Sequence, residues 1–207
     1  MKKQLTTVLI ALTLFSTTLT AYAVSNDEVR QLTEKASGGD SVALNALKNT
    51  AAQGDATAQY NLGLMYEFGQ GVAQDYAEAV SWYRKAANQG DADGQFNLGL
   101  MYDLGQGVAQ DYAEAVSWYR KAANQGYATA QNNLGTMYEH GQGVAQNAVI
   151  AYALYNLSAS NDPSQSNKAL SNRQTISRLM TESQVKKGQE LTRRMQTEVV
   201  VKAINNR

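Results

Sequence analysis

The chain has 207 residues, with 18 acidic and 18 basic side chains, one histidine and no cysteine. The missing cysteines exclude disulfide stapling, thiolate metal sites and a lipid-modified amino-terminal Cys, and a lone His140 excludes a multi-histidine metal site, so no cofactor or metal is expected. Charge is uneven: Val24 to Pro163 carries 15 acidic and 7 basic residues, and Ser164 onward carries 3 and 9, which argues against a nucleic-acid role for the body and leaves the basic tail as a weak contact for an anionic envelope surface.

Lys2 and Lys3 precede an apolar run from Val8 to Phe15 and the small-residue site Ala21-Tyr22-Ala23, the layout of a secretory signal peptide. The run falls short of the roughly 20 apolar residues that span a bilayer, and no comparable run occurs later in the chain. Residues 1–23 are therefore expected to be removed, leaving a mature chain from Val24 in the periplasm or, alternatively, outside the cell. Residues 24–50 read as a helical pair, with its pattern running from Asp27 to Ala52, that covers the first of the repeats beginning at Ala51.

Self-similarity dominates the middle of the chain. The segment from Ala51 to Lys85 returns nearly unchanged from Ala87 to Lys121, and a third copy opens at Ala123 and degrades. This gives repeats over 51–86, 87–122 and 123–160, with equivalent residues such as Tyr66, Tyr102 and Tyr138 lying 36 apart.

Each copy predicts two helices. Ala58, Leu62, Met65 and Tyr66 share one face of the first, and Ala79, Trp82, Tyr83 and Ala86 one face of the second. Between them GQGVAQ supplies Gly69 and Gly71, which can adopt the positive φ that ends a helix. Asp75 with Glu78, and Asp111 with Glu114, read as capping-box-like starts for the second helix. Gly63, Gly99 and Gly135 lie inside the first helix at a cost of about 1 kcal/mol each relative to Ala, which implies close approach of the partner helix, with Trp82 or Trp118 closing over it. One such hairpin cannot bury its apolar face alone, so the copies stack. The third replaces Trp with Leu154, as terminal units diverge to cap a stack. Residues 161–207 then predict a carboxy-terminal helical cap, with patterns from Gln165 to Met180 and Glu182 to Ile204, a capping box at Thr181 and Gln184, and an apolar stripe of Leu191, Met195 and Val199.

The fold expected is thus an all-α superhelical solenoid, and its candidate binding residues lie on the first-helix face opposite Ala58, Leu62 and Tyr66. At 100° per residue that face carries Tyr60, Leu64, Glu67 and Phe68, then Phe96, Leu100, Asp103 and Leu104, then Asn132, Thr136, Glu139 and His140. The apolar and polar side chains Tyr60, Leu64, Phe68, Phe96, Leu100, Leu104, Asn132, Thr136 and His140 form a stripe that grades from apolar to polar and fits a protein or peptide partner. Catalytic groups are few: a His-containing triad could be built only on His140, and Ser183 to Lys186 matches the S-x-x-K element of penicillin-recognising enzymes without their S-D-N and K-T-G elements. The chain therefore reads as a binding protein and not an enzyme.

The pattern A-Q-x-x-L-G-x-M-Y-x-x-G-x-G-V-x-x-D-Y-x-E-A-V-x-W-Y-x-K-A-A resembles the Sel-one-like repeat, a longer relative of the tetratricopeptide repeat. The resemblance implies an α/α superhelix whose first helices line the concave side, and an adaptor or scaffold role, with exported bacterial members serving envelope processes and host contact. One cysteine-rich branch is linked to binding or hydrolysis of penicillin-type compounds, the alternative function this resemblance offers. This chain has none of that branch's cysteines.

Overall fold

A computed structural model describes residues 24–162 and 168–205. Residues 1–23, read above as a signal peptide, lie outside the described residues. These form eleven α-helices and no strand: α1 (Asn26–Ser37) and α2 (Ser41–Ala52); α3 (Ala56–Phe68) and α4 (Tyr76–Asn88); α5 (Ala92–Leu104) and α6 (Tyr112–Asn124); α7 (Ala128–His140) and α8 (Ala148–Asn161); then α9 (Lys168–Ser177), α10 (Glu182–Thr197) and α11 (Val200–Asn205). Each helix packs chiefly on its chain neighbours, from α1 to α8, which is the nearest-neighbour arrangement of a solenoid. None is long and apolar enough to cross a membrane.

Local chemistry sets the boundaries. Asp55 and Asp91 cap α3 and α5 by accepting from the Ala58 and Gly94 N–H groups. At the third equivalent position Tyr127 supplies no side-chain cap. Asp75 accepts from the Ala77 and Glu78 N–H groups, and Asp111 repeats the arrangement; these are simple N-caps, without the returning bond from Glu78 or Glu114 that a capping box needs. Gly69, Gly105 and Gly141 end the first helices in the left-handed region. The second glycine of each GQG packs a loop onto the preceding unit: a Cβ on Gly107 would strike the Tyr76 carbonyl of α4, and one on Gly143 the Tyr112 carbonyl of α6.

The buried contact at the in-helix glycines differs from the expected one. A Cβ on Gly63, Gly99 or Gly135 would lie 2.5 to 2.8 Å from the ring of Tyr83, Tyr119 or Tyr155, so tyrosine, not tryptophan, closes over the glycine. All three rings are fully buried. Trp82 is only half-buried and joins the cluster built by α1, α2 and α3; Trp118, 7% exposed, joins the α4–α5 cluster. Each tryptophan thus binds its helix to those before it, with Lys85 or Lys121 over the outer ring face at 3.4 and 3.5 Å.

A buried amide ladder ties the units together. Gln59, Gln95 and Gln131 donate to the carbonyls of Ala51, Ala87 and Ala123, at the end of the preceding helix. Each also accepts, from Gln89, Gln125 and Asn161 respectively, at 2.7 to 2.9 Å. Buried amides must be satisfied in this way, so the recurring Ala-Gln of the repeat is architectural.

The cap follows α8. Tyr152 lies against Gly188 of α10, where a Cβ would meet its ring at 2.5 Å, and the Thr181–Gln184 capping box is formed. Of the expected pattern from Gln165, α9 begins at Lys168; residues 163–167 lie outside the described residues. The expected stripe holds for Leu191 and Met195 but not for Val199, which is 54% exposed. The chain is extended at Glu198, which shifts burial by one residue: Val200, Ala203 and Ile204 of α11 are buried instead, and α11 packs on α6.

Candidate partner-binding face

The first helices α3, α5 and α7 hold the nine candidate residues at equivalent turns, and none of the nine is fully buried. Phe68 and Leu104 are 59% and 54% exposed, and His140 is exposed. Tyr60, Leu64, Phe96, Leu100, Asn132 and Thr136 are half-buried. Tyr60 rests against Tyr83 with ring centroids 5.9 Å apart, and Phe96 lies 5.9 Å from Tyr119 and stacks on Tyr127 at 5.1 Å. These side chains therefore have one edge in the core and one in solvent, which fixes their rotamers.

The third unit differs. The Asn172 side chain of α9 donates to Asn132 Oδ1 at 3.0 Å, so the chain's own cap already engages the polar end of the stripe. Thr136 is within 3.2 Å of the Tyr155 hydroxyl. The cap thus takes up Asn132, while Glu139 stays half-buried and His140 exposed at the other end of α7; the apolar residues of the face are those of the first two units.

A second feature of this face escaped the periodicity argument. Tyr83 donates to Glu67 at 2.5 Å, Tyr119 to Asp103 at 3.1 Å and Tyr155 to Glu139 at 2.5 Å. A carboxylate followed by tyrosine sixteen residues later in all three repeats was the available signal. Asn133 donates to the Tyr119 hydroxyl. Burial, followed by the charges of Asp93 and Asp91, pushes the Tyr60 phenol up to about 12. Burial first and the bonded carboxylate second push Tyr83, Tyr119 and Tyr155 above the ordinary phenol range. Burial also raises the Asp103 carboxyl. All four tyrosines stay neutral near pH 7 and act as fixed hydrogen-bonding groups.

The sign of charge on this face is uniform. Glu67, Asp93, Asp103 and Glu139 lie on α3, α5 and α7, and these helices contain no Lys or Arg. The repeat cations sit on the second helices, where Arg84 and Arg120 donate to the Tyr102 and Tyr138 hydroxyls and Lys85 and Lys121 cover tryptophan rings.

No chemistry is assembled around the other candidates. Ser183 and Lys186 are exposed in the first turn of α10, and Lys186 Nζ lies 2.8 Å from Glu182. No three metal-ligating side chains cluster among the described residues. Clefts of about 480 and 450 Å³ occur beside α10, lined by residues such as Lys187, Leu191 and Arg194, or Asn124, Glu198 and Val200; neither opens on the first-helix stripe, which is an extended surface suited to a chain segment.

Helix pairs stacked through amide ladders, with an open face on their first helices, define an α/α repeat solenoid. The Sel1 repeat model matches residues 56–91, 92–127 and 128–163, each match opening on a first helix. The chain belongs to the Sel1 repeat family, whose members are generally protein-interaction scaffolds. Among solved structures it is similar to c5321, a protective antigen present in uropathogenic Escherichia coli strains displaying an SLR fold, with 33% identity over 88% of this chain and a TM-score of 0.75. It is also similar to a Sel1 repeat protein from Oxalobacter formigenes, with 34% identity over 74% of this chain and a TM-score of 0.63. The chain spans 40% and 60% of the lengths of those two proteins. No curated protein matches it.

Proposed function

We propose that this chain is an exported scaffold that holds a segment of another protein along the first-helix face of its repeats, in a cell-envelope or host-contact process. The observation that carries the reading is the open half of the stripe: Phe68 and Leu104 project into solvent beside Tyr60, Leu64, Phe96 and Leu100, which the core holds rigidly on one edge. Rigid aromatic groups lose little entropy on binding and act as anchors. Export rests on the layout of residues 1–23, and the likeness to a protective antigen favours a place at or beyond the envelope.

Photo-crosslinking in cells from position 68, with Phe68→Ser plus Leu104→Ser as the control, tests the binding face. One defined adduct, lost in the control while its circular dichroism stays unchanged, is expected; adducts that persist in the control would remove this face from consideration. Intact mass of the envelope fraction tests export, with a chain beginning at Val24 expected and a chain retaining Met1 or confined to the cytoplasm counting against it.

A further inference from the structure

The first-helix face is anionic as well as apolar, and the two properties together specify a partner. Glu67, Asp103 and Glu139 stand at the same turn of α3, α5 and α7, and each is half-buried and held by a tyrosine hydroxyl that donates to one carboxylate oxygen. A carboxylate oxygen has more than one acceptor direction, so each anchored group can still accept from a ligand. Asp93 adds a fourth negative charge at the start of α5, near Tyr60 and Tyr127. Nothing on these helices neutralises them, because every Lys and Arg of the repeats lies on α4 or α6 and is occupied with tyrosine hydroxyls or tryptophan rings.

Alongside this row of charges run Tyr60, Phe96 and the exposed Phe68, whose ring faces attract cations. We infer that the segment bound on this face is an extended, basic stretch of polypeptide whose Arg or Lys side chains pair with Glu67, Asp103 and Glu139 while its apolar residues contact Phe68, Phe96 and Leu104. This deepens the binding reading above and rests on it. Successive first helices are separated by at least the about 8–10 Å of directly packed helices, and an extended chain rises about 3.3 Å per residue, so the cations fall three or more residues apart. The fixed tyrosine bonds make the carboxylates pre-oriented acceptors, and a charge-assisted bond to such a group is stronger than a neutral one.

The test is a fluorescence-anisotropy titration of the chain from Val24 with a labelled peptide of about nine residues bearing Arg at every third position and Leu or Ser elsewhere. A counterpart with Glu at the same positions is the comparison. The Arg peptide is expected to bind roughly tenfold or more tighter than the Glu peptide, and more weakly as salt rises, since half-exposed pairs are screened. The triple variant Glu67→Gln, Asp103→Asn, Glu139→Gln keeps the tyrosine acceptors in place and should lose most of that preference. Equal binding of both peptides, or an undiminished preference in the triple variant, would overturn the charge assignment. If Phe68→Ser plus Leu104→Ser weakens binding while the triple variant does not, the face stands and the basic partner falls; if neither variant changes binding, both readings fail together.

Discussion

Two glycines five residues apart on α5 should respond to alanine with opposite signs. At Gly94 the equivalent residues of the other repeats are Ala58 and Ala130, both fully buried. A Cβ at 94 would come within 2.9 Å of Ala86 Cβ and 3.1 Å of the Ala87 nitrogen, a crowding that those two repeats already accommodate. Gly94→Ala should therefore recover most of the helix-propensity difference of about 1 kcal/mol, less the small cost of that adjustment. At Gly99 the obstacle is a ring that cannot retreat. The added Cβ would lie 2.8 and 2.9 Å from Tyr119 Cδ1 and Cε1 and 3.4 Å from the Ala115 carbonyl oxygen, and the Tyr119 hydroxyl is tied to Asp103 and Asn133. Overpacking of this kind costs about 1–3 kcal/mol; after the propensity gain of about 1 kcal/mol, Gly99→Ala should destabilise by about 1 kcal/mol. The gap between the two variants is about 1.5 kcal/mol, which in urea, with slopes of about 1–3 kcal/mol per molar, separates the midpoints by roughly 0.5 to 1.5 M. Far-UV circular dichroism during urea titration reads this directly. Stabilisation by both substitutions would refute the tyrosine-on-glycine contact and leave propensity alone as the explanation.

The same geometry sets other expectations. Gln95→Leu removes one donor from the Ala87 carbonyl and one acceptor from the Gln125 amide, which keep their bonds to the Gly90 N–H and the Gly90 carbonyl, so the loss in chemical denaturation should be about 1 kcal/mol, and Gln125→Ala, at an exposed position, should cost less. Trp118→Ala should lose about 3–5 kcal/mol as a nearly buried aromatic, and Trp82→Ala distinctly less because one side of its ring faces Lys85 and solvent; equal losses would contradict the burial difference. For Asp103, burial holds the folded-state carboxyl above its unfolded value of 3.8, so the folded chain binds that proton more tightly and this group's contribution is fully present below the unfolded value and lost as pH rises through the folded one. Asp103→Asn keeps an oxygen for the Tyr119 hydroxyl, so it should raise the thermal midpoint at pH 7 and leave it nearly unchanged at pH 3; a lowered midpoint at pH 7 would reverse the sign.

Repetition made the fold legible. The 36-residue period, the GQG breaks and the Asp that starts the second helix in the first two repeats located the hairpins, because those signals act through backbone conformation and hydrogen bonds between near neighbours in the chain. What periodicity could not read was which of two adjacent aromatic residues turns inward. Trp82 and Tyr83 differ by only 100° on α4, and the choice is settled by Gly63, whose missing Cβ admits a flat ring from the facing helix. The same limit applies at the tail: an apolar stripe drawn through Leu191, Met195 and Val199 assumes one unbroken helix, and a single extended residue at Glu198 transfers burial to Val200. The tyrosine–carboxylate pairs were visible as a sixteen-residue interval but not interpretable, since no helix wheel places residues of two different helices in contact.

The change from apolar to polar along the stripe has a cause that the repeats alone conceal. On a surface devoted wholly to binding, Asn132 and Thr136 would set the specificity of a third subsite. The structure instead pairs Asn132 with Asn172 of α9 and brings Thr136 within reach of Tyr155 of its own repeat, so Asn132 serves the chain's own cap and Thr136 its own hairpin. Apolar residues in their place would leave the Asn172 amide without its acceptor, a cost that falls only on the unit next to the cap. The gradient therefore records where the solenoid ends, and the first two repeats, with Phe68 and Leu104 exposed beside Glu67 and Asp103, are where the apolar residues of a partner have room to lie.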